Sequence, residues 1–473
     1  MKALDEDDAF APVSQLAPRL RRREISPIDL TELYLDRITR HAGALNAFAR
    51  VTTERARAEA KQADDELRAG RYRGPLHGIP YGAKDLLDTA GIPTEWGSRA
   101  CKGRVPPRDA TVVRRLREAG AILLGKLAMV EFAGCVGYRY PNASASGPGR
   151  NPWDLSRWTG GSSSGAGAAV AAGLVGFAIG NETWGSILCP SAFCGVTGLR
   201  PTYGRVSRAG GMVGSYSFDK IGPLARSAAD CRLVLQSIAG LDPDDPTSAD
   251  RSPSDLVARH RDPRRVRTAI IEADWNAKGA EIEAHHVFAA AVETLREMDL
   301  QLSPAKLPEF PASEIAGLII TVEAMSAFER FFRDGSIRQL EDPWAPYQQE
   351  LSRAISGEDL VKAWRMRRLL PEKMAAWFAD FDVIVTPNFL SVAPPVESDL
   401  YDTLAYSDPV GGIGNACGLP AIALPGGTGK GGMPCGFQLV AAPWDEGLLA
   451  DLGEMFQRRT DFERARPAAY AHA

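Results

Sequence analysis

Apolar positions along this chain change their period twice. Leu30, Leu33, Tyr34 and Ile38 fall on one face at helical spacing, behind Ser26-Pro27-Ile28-Asp29. With Ser26 as cap and Pro27 at the first helical position, this predicts an amphipathic helix that ends near Gly43. A second, charged helix is predicted over about 52–68, stopping at Gly70. The period then shortens: 78–85 reads as a short apolar strand with Lys84 at its end, 109–118 as a helix closed by Gly120, and 121–125 as an all-apolar strand. Helix followed by all-apolar strand is the mark of a sheet covered on both faces. The fold class expected is α/β, with a central mixed, twisted β-sheet under helices on both sides.

Further on, 200–208 and 218–224 read as loop-and-strand pieces, and 241–267, rich in Pro, Asp and Arg, as an excursion away from the core. Helical spacing returns over 281–298, 315–332 and 360–378. Strands follow at 383–387, 420–425 and 436–440, before a last helix near 448–456. No internal repeat, heptad pattern or low-complexity tail interrupts this order. One domain over 1–473 is expected, with a core over 70–235, a mostly helical insert or cap over 241–380 lining the substrate pocket, and a return to the core sheet over 381–473.

Composition narrows the function classes. A net charge of −4 with 24% charged residues argues against a phosphate-tracking surface, so no nucleic-acid partner is expected. Seven cysteines, an odd number with no C-x-x-C pair, indicate neither a disulfide framework nor a zinc knuckle. The acidic start, MKALDEDDAFAPV, has no apolar core of a secretion signal, and the longest apolar run, 166–179, is Ala/Gly-rich and too short to span a bilayer. A cytoplasmic enzyme without membrane contact is the expectation.

The stretch 159–199 carries the candidate chemistry. It opens with Gly160-Gly161-Ser162-Ser163-Ser164-Gly165, continues as a small-residue apolar run and closes at Gly185-Ser186. Serines and glycines embedded this way mark a place where backbone and hydroxyls approach a ligand closely. Gly161 to Gly165 also matches the G-x-S-x-G elbow of α/β-hydrolases, with Ser163 central. That reading needs a preceding strand and a base histidine, whereas a loop precedes it and only His260, His285, His286 and His472 follow. The Gly-rich 426–432 lacks phosphate-loop spacing and reads as a hairpin turn. His77 reads as a structural hydrogen-bonder, and no His/Asp/Glu cluster suggests a metal. With histidine scarce, a lysine desolvated in an apolar pocket could serve as base. Lys84 fits, because on a strand the side chain of Asp85 points to the other face.

Lys84 does not stand alone. Gly78-Ile79-Pro80-x-x-x-Lys84-Asp85, Gly125-Lys126 with Glu131-Phe132-Ala133, Asn151-Pro152-Trp153-Asp154 leading to Gly160-Gly161-Ser162-Ser163, then Thr183-x-Gly185-Ser186-Ile187 with Pro190-Ser191-Ala192-Phe193-Cys194-Gly195 occur in this order. As a set they resemble the amidase signature family. The similarity runs on through 198–205 and 222–231 and returns at Asn415-x-x-Gly418-Leu419-Pro420-Ala421. It implies the amidase-signature fold and a Ser-cisSer-Lys triad of Ser186 as nucleophile, Ser162 as proton relay and Lys84 as base. It further implies an oxyanion hole from the backbone N–H groups of Thr183, Trp184, Gly185 and Ser186. Gly134, Cys135, Gly161 and Trp184 would line the substrate. No metal and no cofactor is implied.

Two departures bear on substrate. Glu182-Thr183-Trp184-Gly185-Ser186 stands where the family commonly has Asp-Thr-Gly-Gly-Ser. Trp184 keeps an amide donor but cannot take glycine-only dihedrals, so it is expected to reshape the acyl or leaving-group pocket without abolishing catalysis. The arginine-bearing substrate segment of the tRNA-amidating relatives is not found in 321–330, and Phe328, Phe331, Phe332 and Trp344 make the insert aromatic. These features favour a stand-alone amidohydrolase, monomer or homodimer, acting on a small neutral amide, anilide, carbamate, hydrazide or ester. The alternatives are an amidotransferase A-type subunit working with a partner, and an esterase or urethanase with α/β-hydrolase-like specificity.

Overall fold

In the computed structural model, which describes residues 4–258, 261–403 and 410–471, eleven strands form one mixed sheet. In chain order they are β1 (Phe48–Val51), β2 (Pro80–Lys84), β3 (Ile122–Leu127), β4 (Phe177–Glu182), β5 (Thr197–Arg200) and β6 (Lys220–Ala225), then β7 (Arg267–Ile270), β8 (Gln301–Pro304), β9 (Val383–Pro387), β10 (Ala421–Thr428) and β11 (Pro434–Ala441). Their spatial order is β1-β3-β2-β4-β6-β5-β10-β11-β9-β7-β8. β3, β2 and β4 run parallel, as do β9, β7 and β8, while the strands between are antiparallel. Every residue of β2, β3, β4, β6 and β9 is buried, which requires cover on both faces. Helices supply it: Thr53–Arg68 lies on β3, Ser164–Ala171 on β2, β3 and β4, and both Ile282–Glu297 and Glu446–Thr460 on the β10–β11 pair.

The local signals act as the pattern predicts. Ser26 Oγ accepts hydrogen bonds from the N–H groups of Ile28 (3.0 Å) and Asp29 (3.3 Å), opening the helix Pro27–Leu45. That helix runs past Gly43 and closes on Asn46 in the left-handed region, φ 51°. The Gly-rich 426–432 joins two antiparallel strands, as a hairpin turn does.

Two expectations are corrected. Within the polar stretch 241–267, of which 259–260 lie outside the described residues, 242–248 is anchored in the core rather than leaving it. Asp242, Asp245 and Ser248 are buried, Asp242 accepts from the hydroxyls of Thr111 (2.6 Å) and Ser207, and Asp255 pairs with the buried Arg205 at 2.9 Å. These acids and Ser248 are satisfied internally, while the other described polar residues of the stretch are exposed or half-buried. The largely helical stretch that follows also contributes β7 and β8, which extend the sheet in parallel from β9. Each is four residues long and β8 is mostly exposed, so neither leaves a readable period.

At the carboxyl end of β4 the buried Glu182 ties three elements together. One oxygen accepts from Arg200 of β5 at 2.8 Å, and the other from the N–H groups of Ile187 (2.9 Å) and Leu188 (3.1 Å), which open the helix Leu188–Cys194. Burial works against the charge on Glu182, but Arg200, Lys220 and these donors outweigh it and hold the carboxyl below the usual range. Removing one member of a buried pair leaves the other charge uncompensated. Arg200→Met is therefore expected to cost about 3–5 kcal/mol of unfolding free energy in urea titration, and a loss under ~1 kcal/mol would contradict this role.

Candidate active site

Lys84 ends β2, beside β4 in parallel register with Ala83 opposite Ile179. Its side chain is fully buried, and its Nζ lies 2.7 Å from Ser162 Oγ, 3.0 Å from Ser163 Oγ and 2.6 Å from Asn181 Oδ1. Burial pushes its pKa down to about 7, against the opposing pull of Cys135, Asp219 and Glu182. Asp85 faces the other way, 3.8 Å from Lys126 Nζ, as strand alternation requires. A lysine so placed exchanges between its charged and neutral forms near neutral pH and stands within proton-transfer reach of a hydroxyl.

Ser162 follows a cis peptide bond from Gly161. A Cβ at Gly161 would come within 2.8 Å of the Trp158 ring and 2.9 Å of Val130, so only glycine fits there. The Ser162 carbonyl accepts from Val130 N–H at 3.0 Å, and Ser163 N–H donates to the Ser186 carbonyl at 3.3 Å. That last bond brings the two ends of the Gly/Ser stretch together. Ser163 Oγ donates to the Asn181 carbonyl at 3.2 Å, so the central serine of the elbow motif is a partner of Lys84 at the start of the helix Ser164–Ala171.

Ser186 is buried on the turn between β4 and the helix Leu188–Cys194. Gly185 takes the left-handed conformation there, φ 81°, and its carbonyl accepts from Cys189 N–H at 2.7 Å. Trp184 is not among the residues with positive φ, so the position asks for no glycine-only dihedral. Its half-buried side chain packs on a cluster that includes Leu188, Phe218, Ile315, Ile319 and Ile413. Thr183 hydroxyl donates to Asp219, whose other oxygen accepts from the N–H groups of Gly214 (2.8 Å) and Ser215 (3.3 Å).

Gly134 closes a run of three left-handed residues, Phe132, Ala133 and Gly134, and Cys135 Sγ lies 3.9 Å from Thr183 Oγ1. Burial pushes the Cys135 thiol far up, which removes it as a nucleophile near neutral pH. Phe328 stacks on Phe132 at 4.7 Å and Phe331 packs on it at 4.8 Å. Both phenylalanines are buried, so they support the 131–135 loop; only Trp344 of the aromatics considered above is well exposed. His285 and His286 sit on the helix Ile282–Glu297 away from Lys84, while His260 and His472 lie outside the described residues.

Sequence reasoning did not single out Asn181, Asp219 or Lys220. Asn181 is hidden inside an apolar strand. Asp219-Lys220 could have been noticed as two charges heading the otherwise apolar Ile221-Gly222-Pro223-Leu224. Among the described residues, no cluster of His, Cys, Asp or Glu could hold a metal ion, and no helix is long and apolar enough to cross a membrane.

The model of the Amidase family matches residues 29–450. The A subunit of the glutamyl-tRNA(Gln) amidotransferase of Moorella thermoacetica is 37% identical, over 97% of this chain and 98% of its own. The peptide amidase of Stenotrophomonas maltophilia superposes with a TM-score of 0.86 at 33% identity, covering 98% of this chain and 99% of its own. The glutamyl-tRNA(Gln) amidotransferase A subunit of Thermotoga maritima superposes with a TM-score of 0.80 at 27% identity, covering 97% and 96%.

Proposed function

The chain belongs to the amidase family of enzymes acting on C–N bonds, and we propose that it hydrolyses a carboxamide through an acyl-enzyme on Ser186. The observation that carries this reading is the fully buried Lys84, hydrogen-bonded at 2.7 Å to Ser162, which stands after the cis bond beside the Ser186 turn. Ser186 Oγ attacks the carbonyl carbon; its proton passes to Ser162 Oγ as the Ser162 proton passes to Lys84 Nζ. The C=O electron pair moves onto oxygen, where the N–H groups of Thr183, Trp184, Gly185 and Ser186 would receive it. As that pair returns, the C–N bond breaks and the departing nitrogen takes the proton back through Ser162 from Lys84. Water then repeats the sequence on the ester, releasing carboxylate and free Ser186. Anilides, carbamates, hydrazides and esters share the path because the acyl-enzyme keeps no trace of its leaving group. The cap over the pocket falls to the mostly helical insert over 241–380, of which Ile282–Glu297 covers the sheet instead, and Cys135, Gly134 and Gly161 fall to the acyl side.

A second reading has the curated relatives behind it: an amidotransferase A-type subunit, in which the released ammonia would pass to a partner protein instead of solvent. The 37% identity over nearly the full length of both chains is a specific argument for it. The apolar seat of Trp184 favours the stand-alone hydrolase on a small, neutral, partly apolar amide.

The two separate on the chain purified alone. Release of amine or ammonia from peptide amides, anilides and carbamates, and of alcohol from esters, is expected, falling at least ~10³-fold in Ser186→Ala. Ser163→Ala, which loses one hydrogen bond to the lysine, should stay within about tenfold of wild type. Silence of the purified chain on every class would leave only the amidotransferase reading, and a dead Ser163→Ala with an active Ser186→Ala would restore the α/β-hydrolase one. Trp184→Gly is expected to change the kcat/KM ratio between bulky and small acyl groups by about tenfold or more; an unchanged ratio would remove Trp184 from the pocket.

A further inference from the structure

Three lysines are buried at this end of the sheet; Lys126 is turned away toward Asp85 and Thr94, and the partners of the other two differ in kind. Lys84 meets two hydroxyls and an amide oxygen. A hydroxyl can accept from an ammonium or donate to a neutral amine, so Lys84 stays satisfied in either protonation state. Lys220, the first residue of β6 and opposite Glu182 in register, meets only oxygens that cannot donate. Its Nζ donates to the Phe218 carbonyl, to Asn415 Oδ1 at 2.9 Å and to the Thr183 carbonyl at 3.4 Å. Three acceptor-only partners match the three donors of an ammonium, and a neutral amine would leave one of them unpaired.

Burial, with Arg200 and Arg367, opposes the charge on Lys220 much as burial opposes that on Lys84, and Glu182 and Asp219 resist it. What separates the two lysines is the partner set, since only Lys84 has hydroxyls that can donate to a neutral amine. A buried charge on such terms is costly to keep unless it does something a neutral side chain cannot. Its position says what. The Thr183 carbonyl belongs to the same rigid peptide plane as Trp184 N–H, and in a trans peptide the two point in opposite directions. Whatever holds that oxygen aims that N–H. The rest of the grip is neutral or negative: Asp219 holds the Thr183 hydroxyl and Glu182 the amides that follow Ser186.

We infer that Lys220 is a positioning residue for acyl transfer, an ammonium clamped by Asn415 that fixes the Thr183–Trp184 peptide and sets positive charge behind the oxyanion-binding turn. The inference rests on the reading of Ser186 as nucleophile. At 3.4 Å the bond to Thr183 is the longest of the three, and it is expected to shorten as negative charge develops in front of the turn. Lys84 is then the lysine that moves a proton and Lys220 the one that keeps its own.

The test is labelling of the full chain by an alkyl fluorophosphonate, whose phosphoryl oxygen needs the same donors as a substrate carbonyl. Lys220→Met should lower the maximal labelling rate about 10- to 100-fold and leave the half-saturating concentration within about twofold. Lys220→Gln, which restores one neutral donor, should recover part of the lost rate and serves equally if the Met variant does not fold. Labelling of both variants at the wild-type rate, or a loss confined to half-saturation, would overturn the inference. Loss of label in Ser186→Ala, mapped by mass spectrometry, secures the underlying reading; label that persists there faults that reading instead.

Discussion

The hydrogen bond between Lys84 and Ser162 is the constraint to which the rest of the structure answers. A lysine at the end of an all-apolar strand can be fully buried only if its amine is satisfied without water. The chain meets that demand with three oxygens from two segments: Ser162 and Ser163 from the turn before the helix Ser164–Ala171, and Asn181 from the neighbouring strand. The same desolvation that makes the site expensive to build brings the lysine to about 7, where it can exchange a proton. Stability is given up locally for reactivity, and the surrounding sheet makes up the difference.

Small residues let this happen. The serine turn must lie against β4, and a Cβ at Gly180 would come within 2.8 Å of Ser163 Oγ. The helix that follows lies so close to β3 that a Cβ at Gly165 would run into the Ala47 and Ala128 backbones. The composition that looks like a linker is thus a packing solution: backbone is brought to backbone so that two neighbouring hydroxyls and an amide oxygen from β4 share one lysine. The Glu182 carboxylate does the complementary work on the far side, joining β5 to the first amides of the next helix and so fixing the turn that carries Ser186.

Much of this was legible in the sequence, for identifiable reasons. The helix Pro27–Leu45 announces itself by a cap, a proline and a period, all local. The central strands announce themselves by uninterrupted apolar runs. Ser162 and Ser186 could be told from their neighbours only through the ordered motifs of a family, because G-x-S-x-G fits Ser163 equally well and no local rule separates three adjacent serines. What stayed hidden depends on long-range pairing. β7 and β8 are too short to show a period, Asp242 and Asp255 look solvated until their hydroxyl and arginine partners arrive from elsewhere, and Asn181 and Lys220 gain meaning only from what stands opposite them. The backbone demand expected at Trp184 falls on its neighbour instead, since it is Gly185 that takes the left-handed turn.

The central claim is that a neutral lysine removes the serine proton. It is tested most directly by the pH dependence of the second-order rate at which a fluorophosphonate labels Ser186. Lys84 is held below its ordinary range, so its neutral form predominates above about 7 and is lost as pH falls through that value. The rate should therefore rise with pH along a single sigmoid with its midpoint near 7. A rate that stays flat down to pH 5 would contradict a lysine base and the account built on it.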